Sequence, residues 1–306
     1  MTRRRILTLL ITGAILITGG CSSTPEPEVP SDAAGVAEKV TGPSGQTFLR
    51  DITSYEWSDG GQHVSQTLIW IPAQADSPDP DAAQRAGAAA HAIAVFLSSN
   101  QDKCTETSSR NPALFGTYVK ALIPYLGAMV GNQSSTAGFD PLDPLGGSMP
   151  TTTKLFASMA CDAGDEFTAA ATERAATYEE KFADFAAAHR NLGEPNDIQE
   201  ELFQAARLRG LVSAGARAAG VQEDSTSVLT PYHLQYMLVS RMVHGSDPQI
   251  SPEFFRPDGS LKSSQELEGG SWSRYNGQLA GYLENYPQLS DAVWEFEEIS
   301  SAIGRP

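Results

Sequence analysis

The stretch Asp165 to His189 constrains the fold more than any other, because Phe167, Ala171, Arg174, Tyr178, Phe182, Phe185 and His189 recur in it every three or four residues. That period places them on one face of a long α-helix, and an apolar face of such length has to be covered by other helices. The rest of the chain carries the same signals. Asp79 followed by Pro80 predicts a helix start, as do Asn111 with Pro112, Thr230 with Pro231, and Ser251 with Pro252. In each pair the first residue suits the cap, and proline suits the first helical position, where no N–H is needed. "TFLRDITSYEW" and "GQHVSQTLIWI" bring Phe48, Leu49, Ile52 and Tyr55, then Val64, Leu68 and Ile71, to helical spacing. Pro124 should kink the helix that opens at Pro112. Further helices are expected from Asp79 to Ser98, from Thr151, from Asn196 and Asp197 to Ala219, from Tyr275 to Tyr286, and from Ser290 to Ile303. Residues 131–150, with "FDPLDPLGG", read as an irregular loop. Strict alternation of β-branched residues is scarce, so the expected class is all-α: a multi-helix domain with irregular loops.

A different pattern precedes this domain. Arg3, Arg4 and Arg5 lead into an apolar run of about twelve residues from Ile6 to Ile17, and Gly19 and Gly20 lead to Cys21. A helix needs roughly 20 apolar residues to cross a bilayer core, so residues 1–20 read as a cleaved export signal rather than an anchor. "TGGC" resembles the bacterial lipobox, in which the cysteine at the cleavage border receives a diacylglycerol. Thr18 departs from the Leu, Val or Ile usual at its position, and an ordinary secretory signal is the alternative. "TRRRIL" also resembles a twin-arginine leader, which leaves the export route open. A lipid on Cys21 would hold the chain at the outer face of the cytoplasmic membrane, stably if two or more acyl chains are attached.

Residues 21–44 are Pro, Glu, Ser, Ala and Gly with few large apolar side chains, and are expected to form a disordered stalk with a reach of roughly 25 to 30 Å. Residues 45–306 would form the helical domain, with a possible boundary near 221–229. The chain has 37 Asp and Glu against 21 Lys and Arg. That balance disfavours nucleic acid and anionic lipid surfaces as partners, leaving the membrane to the lipid alone. Two cysteines follow Cys21. In an exported protein Cys104 and Cys161 read as a disulfide, worth about 4 kcal/mol on a chain-entropy estimate. Two separate thiols, or a metal or redox site, are the alternatives.

No catalytic signature stands out. His63, His91, His189, His233 and His244 form no HExxH pattern, and the chain has no GxSxG elbow and no phosphate-binding glycine loop. "TTTK", Thr151 to Lys154, has the spacing of an SxxK nucleophile motif and equally that of a helix start. The carboxylates of "YEEKF" (Tyr178 to Phe182) and "EFEEISS" (Glu295 to Ser301) read as solvated helix faces. Trp272, Tyr275, Tyr282 and Tyr286 are candidate partner-binding aromatics, with core packing as the competing reading. No cofactor or metal is expected.

"YEWSDGGQHVSQTLIWIP", "NPALFGTYVKALIPYLGAMVG", "LFASMACDAGDEFTAAA" with "ARLRGLVSAGARAA", and "PEFFRPDGSLKSSQEL" before "WSRY" together resemble the helical region of actinobacterial TPR-repeat-region-containing proteins associated with type VII secretion. The resemblance spans most of the chain after residue 44. It implies an α-helical module and carries over no functional residue. This chain departs from it in the lipobox-like leader and in Cys104 and Cys161, and the positions of a TPR unit are not found. The expected function is an envelope lipoprotein whose ectodomain binds another envelope or secreted protein. An immunity-like or regulatory lipoprotein acting on an exported toxin is the alternative, and a cell-envelope hydrolase a further one.

Overall fold

A computed structural model describes residues 25–100, 104–132, 136–190, 197–221, 230–267 and 271–305. It is all-helical, and the described residues contain no strand, only two isolated bridges, Asp247 with Ile250 and Phe255 with Leu261. The helices are α1 (Ala33–Thr41), α2 (Gly45–Ser54), α3 (Gln62–Gln66), α4 (Trp70–Gln74), α5 (Pro80–Ser98), α6 (Cys104–Arg110), α7 (Pro112–Leu122), α8 (Leu126–Met129), α9 (Pro150–Met159), α10 (Asp165–His189), α11 (Asp197–Ala218), α12 (Thr230–Met242), α13 (Trp272–Leu283) and α14 (Pro287–Ala302).

Two groups of helices share one core. α1, α2 and α4 gather on the Ala-rich α5, while α10 and α14 pack on α11 and α12 packs on α10 and α14. α9 joins the groups, with α5 on one side and α11 on the other. Small residues permit that approach: a Cβ on Gly215 of α11 would lie 2.6 Å from Cβ of Phe156 on α9. The apolar core is continuous from Val36 to Ile303 and includes α12, beyond the possible boundary at 221–229. Residues 222–229 of that boundary lie outside the described residues, as do the whole of residues 1–20 and Cys21.

The start of the domain differs from the expected stalk. Asp32 accepts a hydrogen bond from the N–H of Gly35 at 2.8 Å and opens α1, which buries Val36 and Val40 in the core. Two valines one turn apart suffice here because α2 and α5 supply the surface they cover. The packed chain therefore reaches back to Val29, and any free stalk is shorter than residues 21–44.

Proline and cap signals hold at α5, where Asp79 accepts from the N–H of Asp81, and at Pro124, where α7 gives way to a short 3-10 turn. "GQHVSQTLIWI" is broken into α3 and α4, yet Val64, Leu68 and Ile71 are all buried. Asn111 does not cap α7 through its side chain. Fully buried, its Nδ2 instead donates to the carbonyls of Thr53 (3.0 Å) and Tyr55 (2.7 Å), and its Oδ1 accepts from the N–H of Trp57 (3.3 Å). One amide thus locks the turn after α2 onto the start of α7. α9 is capped from a distance, with Asp143 accepting from the N–H groups of Thr151 (3.1 Å) and Thr152 (2.7 Å) and from the Thr152 hydroxyl (2.8 Å). Burial raises the Asp143 pKa, but these donors outweigh it and hold the carboxyl below its usual range.

Candidate functional site

The stripe on α10 that opened the sequence analysis contains one charge, Arg174, and the structure shows what it does there. α10, the 3-10 turn and first residue of α8 with Asn132 after it, and α11 line a cleft of about 540 Å³. Its apolar part is Ile123, Leu126 and Ala170, and its polar part includes Asn132, Glu173, Arg174, Tyr178, Lys181 and Glu201. Arg174, Tyr178 and Lys181 are spaced by four and three residues, so one face of α10 presents all three.

Glycine 127 makes room for two of them. A Cβ at this position would lie 3.2 Å from Nη1 of Arg174 and 3.2 Å from the hydroxyl oxygen of Tyr178. The guanidinium and the phenol therefore converge on the same bare stretch of α8 backbone. Asn132 Nδ2 donates to the Tyr178 hydroxyl at 3.1 Å. Lys181 Nζ stands 3.5 Å from Oε1 of Glu201 and 5.8 Å from the centre of the Tyr178 ring. The second carboxylate oxygen of Glu201 is shielded from solvent and has no hydrogen-bond partner among the described residues. Arg174, half-buried, likewise makes no ion pair or hydrogen bond with a described residue.

The cleft walls are held by charged side chains that tie α11 to its neighbours. Glu179, completely buried on α10, receives Nε of Arg209 at 2.8 Å and Nη2 at 3.0 Å, a forked pair that joins α10 to α11. This corrects the reading of "YEEKF" as a solvated face: Glu179 points inward and its guanidinium comes from the neighbouring helix. Arg207 of α11 donates to the carbonyl of Val130 (3.0 Å) and to Glu200 (2.8 Å), which fixes α11 to the end of α8. A cleft with walls so tied changes shape little on binding.

The candidates singled out in the sequence fall elsewhere. Cys21 and the side chain of Cys104 lie outside the described residues. Cys161 is half-buried and precedes the 3-10 turn Asp162–Gly164, on which α6, the helix that begins at Cys104, packs. Tyr275 and Tyr282 are buried, with the Tyr275 hydroxyl donating to the Lys262 carbonyl at 2.6 Å. Trp272 and Tyr286 are half-buried against the core. Trp294 on α14 is the more exposed tryptophan at 60%. In "TTTK" Thr152 and Thr153 are buried, while Thr151 is half-buried with its N–H bonded to Asp143 and Lys154 is exposed.

The histidines are likewise separate. The N–H of His63 and then its ring bond to Asp59, lowering that carboxyl to about 2. His189 stacks on Phe185 at 4.2 Å. Among the described residues no three His, Cys, Asp or Glu side chains form a group that could hold a metal.

Sequence reasoning placed Arg174 and Tyr178 on the α10 stripe but drew nothing from them. The readable signal was a guanidinium in the middle of an otherwise apolar and aromatic face. Comparison with protein-family profiles, with curated proteins and with solved structures finds no match for this chain.

Proposed function

We propose that this chain is a lipid-anchored binding protein of the cell envelope. Cys21 carries the lipid at the outer face of the cytoplasmic membrane, and the helical domain engages another envelope or secreted protein. The observation that carries the binding part is Arg174, a half-buried cation open to a cleft and unclaimed by any described carboxylate in a chain of net charge −16. The anchoring part rests on the basic and apolar leader that ends at Cys21. Among the described residues no helix is long and apolar enough to cross a membrane.

Tethering raises the effective concentration of the domain for partners in the same thin layer. The packing of Val29 and α1 on the core shortens the leash. From Cys21 to Val29 an extended chain spans at most about 29 Å, so the domain rides within that distance of the headgroups. The pairing of Cys104 with Cys161 belongs to the same proposal and is supported by the packing of α6 on the turn after Cys161. So does the kinship with the helical region of TPR-repeat-region-containing proteins, supported by the all-helical fold.

Membrane fractionation and intact mass of the native chain and of Cys21→Ala test the anchor, with a pull-down from detergent-solubilised membranes to reveal the partner. Expected are a diacylglycerol adduct on the native chain, release of Cys21→Ala to the soluble fraction, and recovery of one envelope or secreted protein. Equal membrane association of the two chains without an adduct would overturn the anchor. The same mass measurement with and without reductant reads the disulfide as a two-proton difference.

A further inference from the structure

We infer that the cleft lined by α10, α11 and the 3-10 turn before α8 takes a carboxylate borne on an apolar body, from a free organic acid or from the chain end of the partner protein. The inference deepens the proposed binding role and rests on reading this cleft as its site. Two donors in the cleft lack an acceptor among the described residues. Arg174, half-buried, makes no ion pair or hydrogen bond with any of them. The Tyr178 oxygen accepts from Asn132 Nδ2 at 3.1 Å, which leaves its own hydroxyl proton to be donated elsewhere. Nη1 of Arg174 and the Tyr178 oxygen each lie 3.2 Å from the point that a Cβ of Gly127 would occupy. They are therefore near enough to each other for one carboxylate to accept from both, one oxygen to each donor.

The remaining charges favour a single negative charge. Lys181, the second cation of the cleft, stands 3.5 Å from Oε1 of Glu201 and is claimed by it. Glu173 also lines the cleft but is exposed, so water screens its carboxylate more than it screens the half-buried guanidinium. The anionic end of a ligand is thus the one the cleft holds. One guanidinium with Glu173 in the same cleft suits a monoanion better than a dianion such as phosphate. Ile123, Leu126 and Ala170 supply the apolar surface on which the body of the acid rests. The volume of about 540 Å³ falls within the range of small-ligand sites.

The test is isothermal titration of the purified full chain in detergent with phenylacetate, with its neutral amide and with inorganic phosphate. Saturable binding of the acid is expected in the millimolar range or below, weakened roughly tenfold or more by amidation and by Arg174→Gln, and less by Arg174→Lys. Tyr178→Phe, which removes the hydroxyl alone, is expected to weaken it roughly three- to tenfold. Far-UV circular dichroism and the melting temperature establish that the variants are folded. Absence of acid binding throughout the millimolar range would overturn the inference. So would equal binding of the amide, tighter binding of phosphate than of the acid, or binding unchanged by Arg174→Gln. The pull-down separates the two sources. A partner released by phenylacetate and lost with Arg174→Gln brings the carboxylate on its own chain, whereas a partner kept in both cases leaves a free acid as the ligand. Acid binding with no partner recovered would keep the carboxylate site and remove the protein partner. A partner recovered while the acid fails to bind would remove the carboxylate site and leave tethered binding standing.

Discussion

Glu179 and Arg174 sit just over one turn apart on α10 and meet opposite fates. Glu179 is buried and held by two hydrogen bonds from Arg209, so its charge is used up in joining two helices. Arg174 faces a cleft and engages no described residue, so no described carboxylate uses its charge. Burying an ion pair contributes little net stability, but removing one member leaves the other charge stranded. Removing a charge that pairs with no described residue strands no described carboxylate. The two positions therefore separate what holds this protein together from what it offers to a ligand.

Substitutions can break or sharpen that contrast. The largest effect is expected from Glu179→Gln, which leaves the guanidinium of Arg209 without its carboxylate and should lower unfolding stability by about 3–5 kcal/mol in denaturant titration. Asn111→Ala comes next. It strips two carbonyls and one N–H of their partners inside the core, with an expected loss of about 3 kcal/mol by the same measurement. Asp143→Asn should cost about 1–2 kcal/mol by weakening the cap on α9.

Asp143 also gives a pH signature. Its carboxyl is held below the ordinary value of 3.8, so its contribution is complete above that value and is lost as pH falls through the lower folded pKa. Acid unfolding of Asp143→Asn should accordingly show a shallower pH dependence below 3.8 than the native chain. Arg174→Gln closes the series with a change under about 0.5 kcal/mol. A loss there as large as that of Glu179→Gln would erase the contrast and make Arg174 a structural residue.

The sequence was most readable where a local rule and the tertiary structure ask for the same thing. α10 runs from Asp165 to His189 as its periodicity predicts, and α5 begins at Pro80 after Asp79. It was least readable where a side chain serves a distant segment. Asn111 has the look of a helix cap, but its amide is drawn to carbonyls more than fifty residues earlier in the chain. Glu179 follows Tyr178 in a polar run, and only the arrival of Arg209 from α11 makes its burial possible. α1 was hidden by composition, because Val36 and Val40 are too few to show a stripe until α5 lies beneath them. For the aromatics of α13 the sequence leaves a binding groove and core packing open, and Tyr275 and Tyr282 are buried. The cleft needed α8, α10 and α11 to be brought together, and no local spacing encodes that.

One measurement joins the two halves of the contrast: thermal unfolding of the native chain beside Glu179→Gln and Arg174→Gln. The expected result is that Arg174→Gln melts with the native chain and Glu179→Gln well below it, as the stranding of Arg209 requires. An Arg174→Gln chain that melts as low as Glu179→Gln would contradict the assignment of Arg174 to binding rather than to the fold.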